Sequence, residues 1–251
     1  MQGLKTKGKA IFPLIKNTFQ KESCRFNQIR GSNEKIMENY RRNFSSLNGL
    51  QHQKLQKLKF DETQVVQMQD MITLVDENDN VIGPISKLDA HFKTEHSLIS
   101  NPQRLPHRAF SLLLFNSRDE LLLAAVRRAE FELGIKELDA ERDLSVGARI
   151  LYYADNCDQF AEHELDYIIF AKKDLTDWSP QKHVNKDEVR DVEWVSRSNF
   201  QEFLDFKRDQ DDSDITPWFK LLKESRLMKW WEILEQRNEF PKESDHIERF
   251  I

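Results

Sequence analysis

The chain has 251 residues, 39% of them hydrophobic and 32% charged, with a net charge of −5, which is room for one large domain or two small ones around a real core. No apolar run approaches the roughly 18 residues of a membrane-spanning helix, so that class is excluded. The two cysteines, Cys24 and Cys157, stand in no metal or redox spacing, which points to a reduced intracellular compartment.

Charge is unevenly spread along the chain. Residues 1–59 hold 13 Lys or Arg against three acids, Glu22, Glu34 and Glu38, while the remainder is acidic by 15 charges. A basic, acid-poor head on an acidic body suggests an extension, residues 1–60, joined to a finished domain at 61–251. A mitochondrial transit peptide and a disordered leader both fit that composition. The head lacks the aromatic interleaving of a nucleic-acid binder, so none is expected as a partner.

After the head, Met71–Val75 reads as a strand, Asp76–Asn80 as a turn, and Val81-Ile82 as the return before Gly83-Pro84, which together make a hairpin. Residues 86–107 read as an irregular loop holding His91, His96 and His107. Ala109–Phe115 is the next strand, Asn116–Glu120 its turn, and Leu121–Leu123 the return. Leu123 then runs straight into the helix-forming stretch Ala124–Glu132, with Leu133-Gly134 as its C-terminal cap. Strand-to-helix connections normally take two to six residues with a capping or turn side chain. None is present here, so the junction looks cut.

Val146–Tyr153, Glu164–Ala171 and Val189–Val195 read as further strands, with Cys157 in the loop between the first two. Ser198 is a fair cap for a helix through Phe206. The acidic linker Asp209–Asp214 leads to Thr216-Pro217, a helix start. Trp218, Phe219, Leu222, Leu227, Trp230 and Trp231 keep roughly helical spacing beyond it, to about Asn238.

Few residues stand out as chemistry. Glu162-His163-Glu164 stands at the entry to a strand, and where the strand period already applies there it turns both carboxylates to one face and His163 to the other. Two acids so placed repel unless a cation or a shared proton relieves them, which favours a divalent metal or a raised carboxyl pKa. The competing reading is an exposed strand end with solvated acids. His91, His96 and His107 are candidate ligands for such a metal, or plain surface histidines. Only seven glycines occur and none cluster, so an anionic ligand has no glycine-rich cradle; Lys87, Arg108, Arg127 and Arg128 are the cations on hand, the arginine pair equally readable as a solvated helix face. The tryptophans of the last helix read as core, with an aromatic face over a cationic intermediate as the functional alternative.

Six strings occur in order: LVDENDNVIG, SKLDAH, LPHRAFSLLLFN, RRAEFELGI, AEHELDYIIFA, and ITPWFK with LMKWW. In them the chain resembles the type I isopentenyl-diphosphate Δ-isomerases over most of residues 70–235, and RRAEFELGI is similar to the distal half of that family's variant Nudix box. The resemblance implies an α/β (α+β) domain, a Nudix-like mixed sheet flanked by helices. It implies an isomerase of isoprenoid and sterol biosynthesis that interconverts isopentenyl and dimethylallyl diphosphate by protonation on one face of the alkene and deprotonation on the other. An unrelated Nudix hydrolase is disfavoured, because Phe131 stands where it would want a glutamate.

Carried over residue by residue, Glu164 corresponds to the catalytic glutamate and metal ligand, Glu162 to its ligand partner, and Tyr152 to a tyrosine beside it. His107 corresponds to one histidine ligand and His91 to another, with His96 its rival. Glu132 corresponds to the acid that holds magnesium on the diphosphate, Lys87 and Arg128 to diphosphate contacts, and Trp218 to the aromatic over the cation. The implied metal is Mg2+, with Mn2+ or Zn2+ as further candidates at the His/Glu site. A monomer in the cytoplasm is the expectation, with no membrane partner and the mitochondrion as the other address.

The chain departs from the family between Leu123 and Val126. There the family carries some dozens of residues with part of the sheet core, an Arg and a Lys for the diphosphate, the catalytic cysteine, and a further histidine ligand. The expectation is an isomerase by descent that is inactive or nearly so, the alternative being a metal- or diphosphate-binding module or partner surface without chemistry.

Overall fold

In the computed structural model the described residues are 68–93, 105–123, 133–136, 138–139, 141–155, 160–186, 189, 192–211, 216–241 and 246–250. They form a mixed sheet of eight strands with helices, the α/β class expected from the sequence. The chain divides into two compact units, Met1–His107 and Arg108–Ile251, described in turn.

The first unit contains the hairpin. β1 (Met71–Val75) pairs antiparallel with β2 (Val81–Ser86), in register Met71↔Ser86 to Leu74↔Gly83. The turn forms because the Asp76 carboxylate accepts from the backbone N–H of Asn78 (2.9 Å) and Asn80 (2.8 Å), and because Asp79 adopts φ 69°. β2 continues through Gly83-Pro84 instead of stopping there. It is an edge strand, and an edge tolerates a residue that cannot donate to the ladder. Leu74, Ile82, Ile85 and Ala90 make a small apolar cluster, with Ile72 and Leu105 against it.

Part of the expected loop is helical. α1 (Lys87–His91) starts at Ser86, whose hydroxyl accepts from the Asp89 N–H at 3.1 Å. Its first N–H groups are taken up by the chain before β1: Lys87 N donates to the Asp70 carbonyl (2.8 Å) and Leu88 N to that of Met68 (2.9 Å). β1 also meets the first residue of β3 (His107–Phe115), with Leu74 opposite His107 and the Val75 N–H donating to Pro106 O at 2.9 Å. His96 lies outside the described residues.

In the second unit the strand order is β3-β6-β5-β8. β5 (Leu144–Asp155) and β6 (Ala161–Lys172) are twelve residues each and pair antiparallel along their whole length. β4 (Leu121–Leu123) pairs with β3 and with β7 (Glu193–Val195). β7 is shorter than expected: Val189 and Val192 are buried by packing outside the ladder. β8 (Ile247–Phe250), which the sequence did not announce, adds parallel to β5 at the sheet edge.

Each face of this sheet has its own core. On one face Leu113, Phe115, Ile150, Tyr152, Ile168 and Phe170 pack against the C-terminal helices, and on the other Leu114, Leu122, Leu133, Ile135 and Ala171 pack with Val189 and Val192. The alternation of Leu113/Phe115 with Leu114 is the two-residue period of a strand buried on both sides. Gly147 lies at a bulge in β5, where a Cβ would meet the Phe170 ring at 2.1 Å. Its missing side chain lets that ring seat between Trp230 and Phe240.

α2 (Pro180–His183) is a single turn, and α3 (Phe200–Asp211) starts one residue later and ends five residues later than its sequence signals. α4 (Pro217–Leu222) begins after Thr216, passes through a π-helical turn at Lys223–Leu227, and continues as α5 (Met228–Arg237). The π turn accounts for the five-residue step from Leu222 to Leu227. An ordinary α-helix would rotate one of them away, yet they are 1% and 0% exposed. Asn238, at φ 51°, ends the helix. Trp231 anchors it to the β3–β4 turn by donating its indole N–H to Asp119 O at 2.7 Å. Gly134 is left-handed at φ 64°, as a helix-ending glycine should be, while the expected helix 124–132, and with it the expected cut between Leu123 and Val126, lies outside the described residues.

Candidate active site

In the first unit two imidazoles converge. His91 ends α1 and His107 opens β3; both are buried. Nδ1 of His91 lies 2.6 Å from the Lys87 carbonyl oxygen, which accepts only, so Nδ1 carries a proton and donates it there. Nε2 of His91 faces Nε2 of His107 at 3.2 Å, with the ring centroids 4.7 Å apart. Two nitrogens each about 2.1 Å from one ion, in cis-octahedral or tetrahedral geometry, lie about 3.0–3.4 Å apart, so the pair has the spacing of two ligands on a single metal. The backbone carbonyl that fixes the tautomer of His91 is a common orienting partner of metal-bound histidine.

In the second unit the acids line up. Glu162, Glu164 and Asp166 alternate along β6 and are 8%, 4% and 1% exposed. The expected placing of Glu162 and Glu164 on one face is correct: the Tyr152 hydroxyl on β5 lies 2.8 Å from Glu164 Oε2 and 3.3 Å from Glu162 Oε2. The ladder explains this, since Tyr152 is directly opposite Glu164 and Ala154 opposite Glu162. Burial first, then the charges of Glu164, Glu162 and Asp166, hold the Tyr152 phenol well above its ordinary pKa of 10.0. It is therefore a neutral donor, and Glu164 receives its proton in the shorter bond. The solvated-acid reading of this strand end fails on burial.

His163 points to the opposite face, edge-on to the Tyr153 ring at 6.2 Å. Asp166 has no motif of its own in the sequence, although the same period that pairs Glu162 with Glu164 reaches it. It accepts from Ser111 Oγ on β3 at 2.7 Å. Trp218 is partly buried, edge-on to Phe219 at 5.5 Å, and packs against the apolar cluster that contains Tyr152. Lys87 is the first residue of α1. Arg127, Arg128, Glu132 and Cys157 lie outside the described residues.

The donors fit a divalent cation. The first unit offers two imidazole nitrogens 3.2 Å apart, ligands that suit most divalent ions, and the second offers carboxylates whose burial penalises unrelieved negative charge. No helix among the described residues is long and apolar enough to cross a membrane.

No family model matches the chain. Among individual proteins it is 32% identical over 210 residues to "Isopentenyl-diphosphate Delta-isomerase I" of Camptotheca acuminata, a match covering 67% of this chain and 85% of that protein. It is 30% identical over 221 residues to "Isopentenyl-diphosphate Delta-isomerase 1" of Mesocricetus auratus, covering 72% and 92%. Against "Isopentenyl-diphosphate delta-isomerase IDI1" of Gibberella zeae it is 32% identical over 219 residues, covering 70% and 81%.

Proposed function

Because the chain belongs to the isopentenyl-diphosphate Delta-isomerase family, we propose that it interconverts isopentenyl and dimethylallyl diphosphate, slowly, through a proton-transfer unit built on Tyr152 and Glu164. The observation that carries the reading is the buried 2.8 Å hydrogen bond between those two side chains. A carboxylate in a dry site, with a neutral phenol aimed at it, is equipped to take a proton from an allylic carbon and return one.

The ligand set of this reading is the one the family resemblance assigns, His91 and His107 from the first unit and Glu162 and Glu164 from the second, all four of them buried. The chemistry supplied by a divalent cation there, Mg2+ first and Mn2+ or Zn2+ after it, is charge neutralisation that holds the Glu164 carboxylate ionised and fixed in a buried place. Tyr152 orients Glu164 and keeps its own proton. Lys87 and Arg128 are assigned to the diphosphate and Glu132 to its magnesium, with Trp218 as the aromatic surface for positive charge developing on the substrate.

The slowness follows from what the chain lacks. The proposed loss lies between Leu123 and Val126 and includes the cysteine that transfers a proton on the other face of the alkene. In all three matches the aligned length exceeds the part of this chain it takes in, as an internal loss requires. One general acid–base group contributes roughly 100- to 10,000-fold, so the rate should fall below an intact relative's by about that factor. The reading places the protein in a reduced compartment, the cytoplasm or, by its basic head, the mitochondrion.

Incubation of the purified chain with Mg2+ and isopentenyl diphosphate in deuterated water tests the assignment. Slow deuterium incorporation and dimethylallyl diphosphate formation, abolished in Glu164→Gln, are expected. Turnover at an intact relative's rate would contradict the loss, and exchange indifferent to Glu164→Gln would contradict the site.

A further inference from the structure

The phenol of Tyr152 has one proton and three carboxylates around it. On the ladder Tyr152 faces Glu164, with Glu162 diagonal on one side and Asp166 diagonal on the other, opposite Ala154 and Ile150 respectively. Both diagonal positions are within reach of a long aromatic side chain. The hydroxyl nevertheless reaches Glu164 and Glu162 and not Asp166. Asp166 instead accepts from the Ser111 hydroxyl, which donates to its Oδ2 at 2.7 Å from the neighbouring strand β3. Asp166 is the most buried of the three acids, at 1% exposure, and so has the most to lose from giving up a donor.

We propose that Ser111 is a positioning residue for the isomerase site: by drawing the Asp166 carboxylate toward β3, it reserves the single Tyr152 proton for Glu164. This rests on the role given above to Tyr152 and Glu164. Its physical content is competition between acceptors. With the Ser111 hydroxyl removed, Asp166 is a buried carboxylate short of one donor, one diagonal step from a phenol. The phenol then turns to it, and Glu164 loses the bond that orients it. Ser111 touches neither substrate nor ion and acts through two other side chains.

Four proteins test this: wild type, Tyr152→Phe, Ser111→Ala, and the double variant Ser111→Ala/Asp166→Ala, which removes both the lock and the competitor. In protein labelled with tyrosine 13Cζ, the Tyr152 resonance is the one missing from Tyr152→Phe, and its shift reports the acceptor of the hydroxyl. Ser111→Ala should move that resonance and the double variant should return it to the wild-type position. The Mn2+ affinity of the folded proteins should follow the same pattern. Ser111→Ala and Tyr152→Phe should both weaken it, by about tenfold or more as for other groups that orient ligands, and the double variant should recover it.

A merely structural role for Ser111 predicts instead that the double variant is at least as impaired as Ser111→Ala. That result, or a Tyr152 resonance unmoved in Ser111→Ala, overturns the proposal. If wild type takes up no Mn2+, the functional reading fails, while the resonance still decides the role of Ser111. Should Ser111→Ala not fold, Ser111→Cys replaces it in both proteins as a near-isosteric side chain with a weaker donor.

Discussion

Replacing Tyr152 by phenylalanine removes one oxygen atom, and the structure says what that oxygen does at two ends of the pH scale. At neutral pH its proton serves a buried carboxylate. A hydrogen bond to a charged group contributes about 1.5–3 kcal/mol, so Tyr152→Phe should be less stable by that amount. At alkaline pH that advantage shrinks. The phenol's pKa in the folded state is raised above its unfolded value of 10.0, first by burial and then by Glu164, Glu162 and Asp166. A raised pKa means that its contribution is complete below pH 10 and lost above it, because the unfolded chain releases a proton that the folded chain retains. The loss amounts to about 1.4 kcal/mol at pH 11 relative to neutral pH, and the phenylalanine variant has no such term. Urea midpoints for the two proteins between pH 7 and 11 should therefore approach one another as pH rises, while absorbance at 295 nm shows one tyrosine that ionises only on unfolding. Parallel stability curves, or a Tyr152 that titrates near pH 10 in the folded protein, would refute the placing of this residue in a dry, negative site.

Three other outcomes follow. Gly147→Ala should cost about 1–3 kcal/mol in urea unfolding, because the new methyl overlaps the Phe170 ring and that ring is held by Trp230 and Phe240. Deleting Glu224 should straighten the π turn into α-helix and lower the melting temperature sharply, since Leu222 and Leu227 can no longer face the core together; deleting Glu239, beyond the helix, should not. Saturating Mg2+ should raise the melting temperature and chelation should reverse it, with about 2.7 kcal/mol of stabilisation at a hundred times the dissociation constant, as read by calorimetry; Glu164→Gln should show no such shift.

The strands that frame the site were legible because their signals are local. Asp76–Asn80 carries its own turn chemistry, and the two-residue period of Glu162-His163-Glu164 is enough by itself to put both acids on one face. What escaped was of two kinds. α1 is five residues long, too short for helical periodicity, and its N-terminus is satisfied by Asp70 and Met68 from an earlier stretch. β8 is four residues, two of them charged, and exists only because β5 offers it an edge. Asp166 was within reach of the same parity argument, but its partner Ser111 lies 55 residues away and no sequence pattern couples them. The Leu222–Leu227 step was visible as an imperfection in a helical stripe, and the π turn is its physical meaning.

Mn2+ titration of the metal-free chain, followed by electron paramagnetic resonance, tests the proposal that His91, His107 and Glu164 serve one ion. A single tight site per chain is expected, lost alike in His91→Ala, His107→Ala and Glu164→Gln. Binding that survives the histidine variants while vanishing with Glu164, or the reverse, would contradict it.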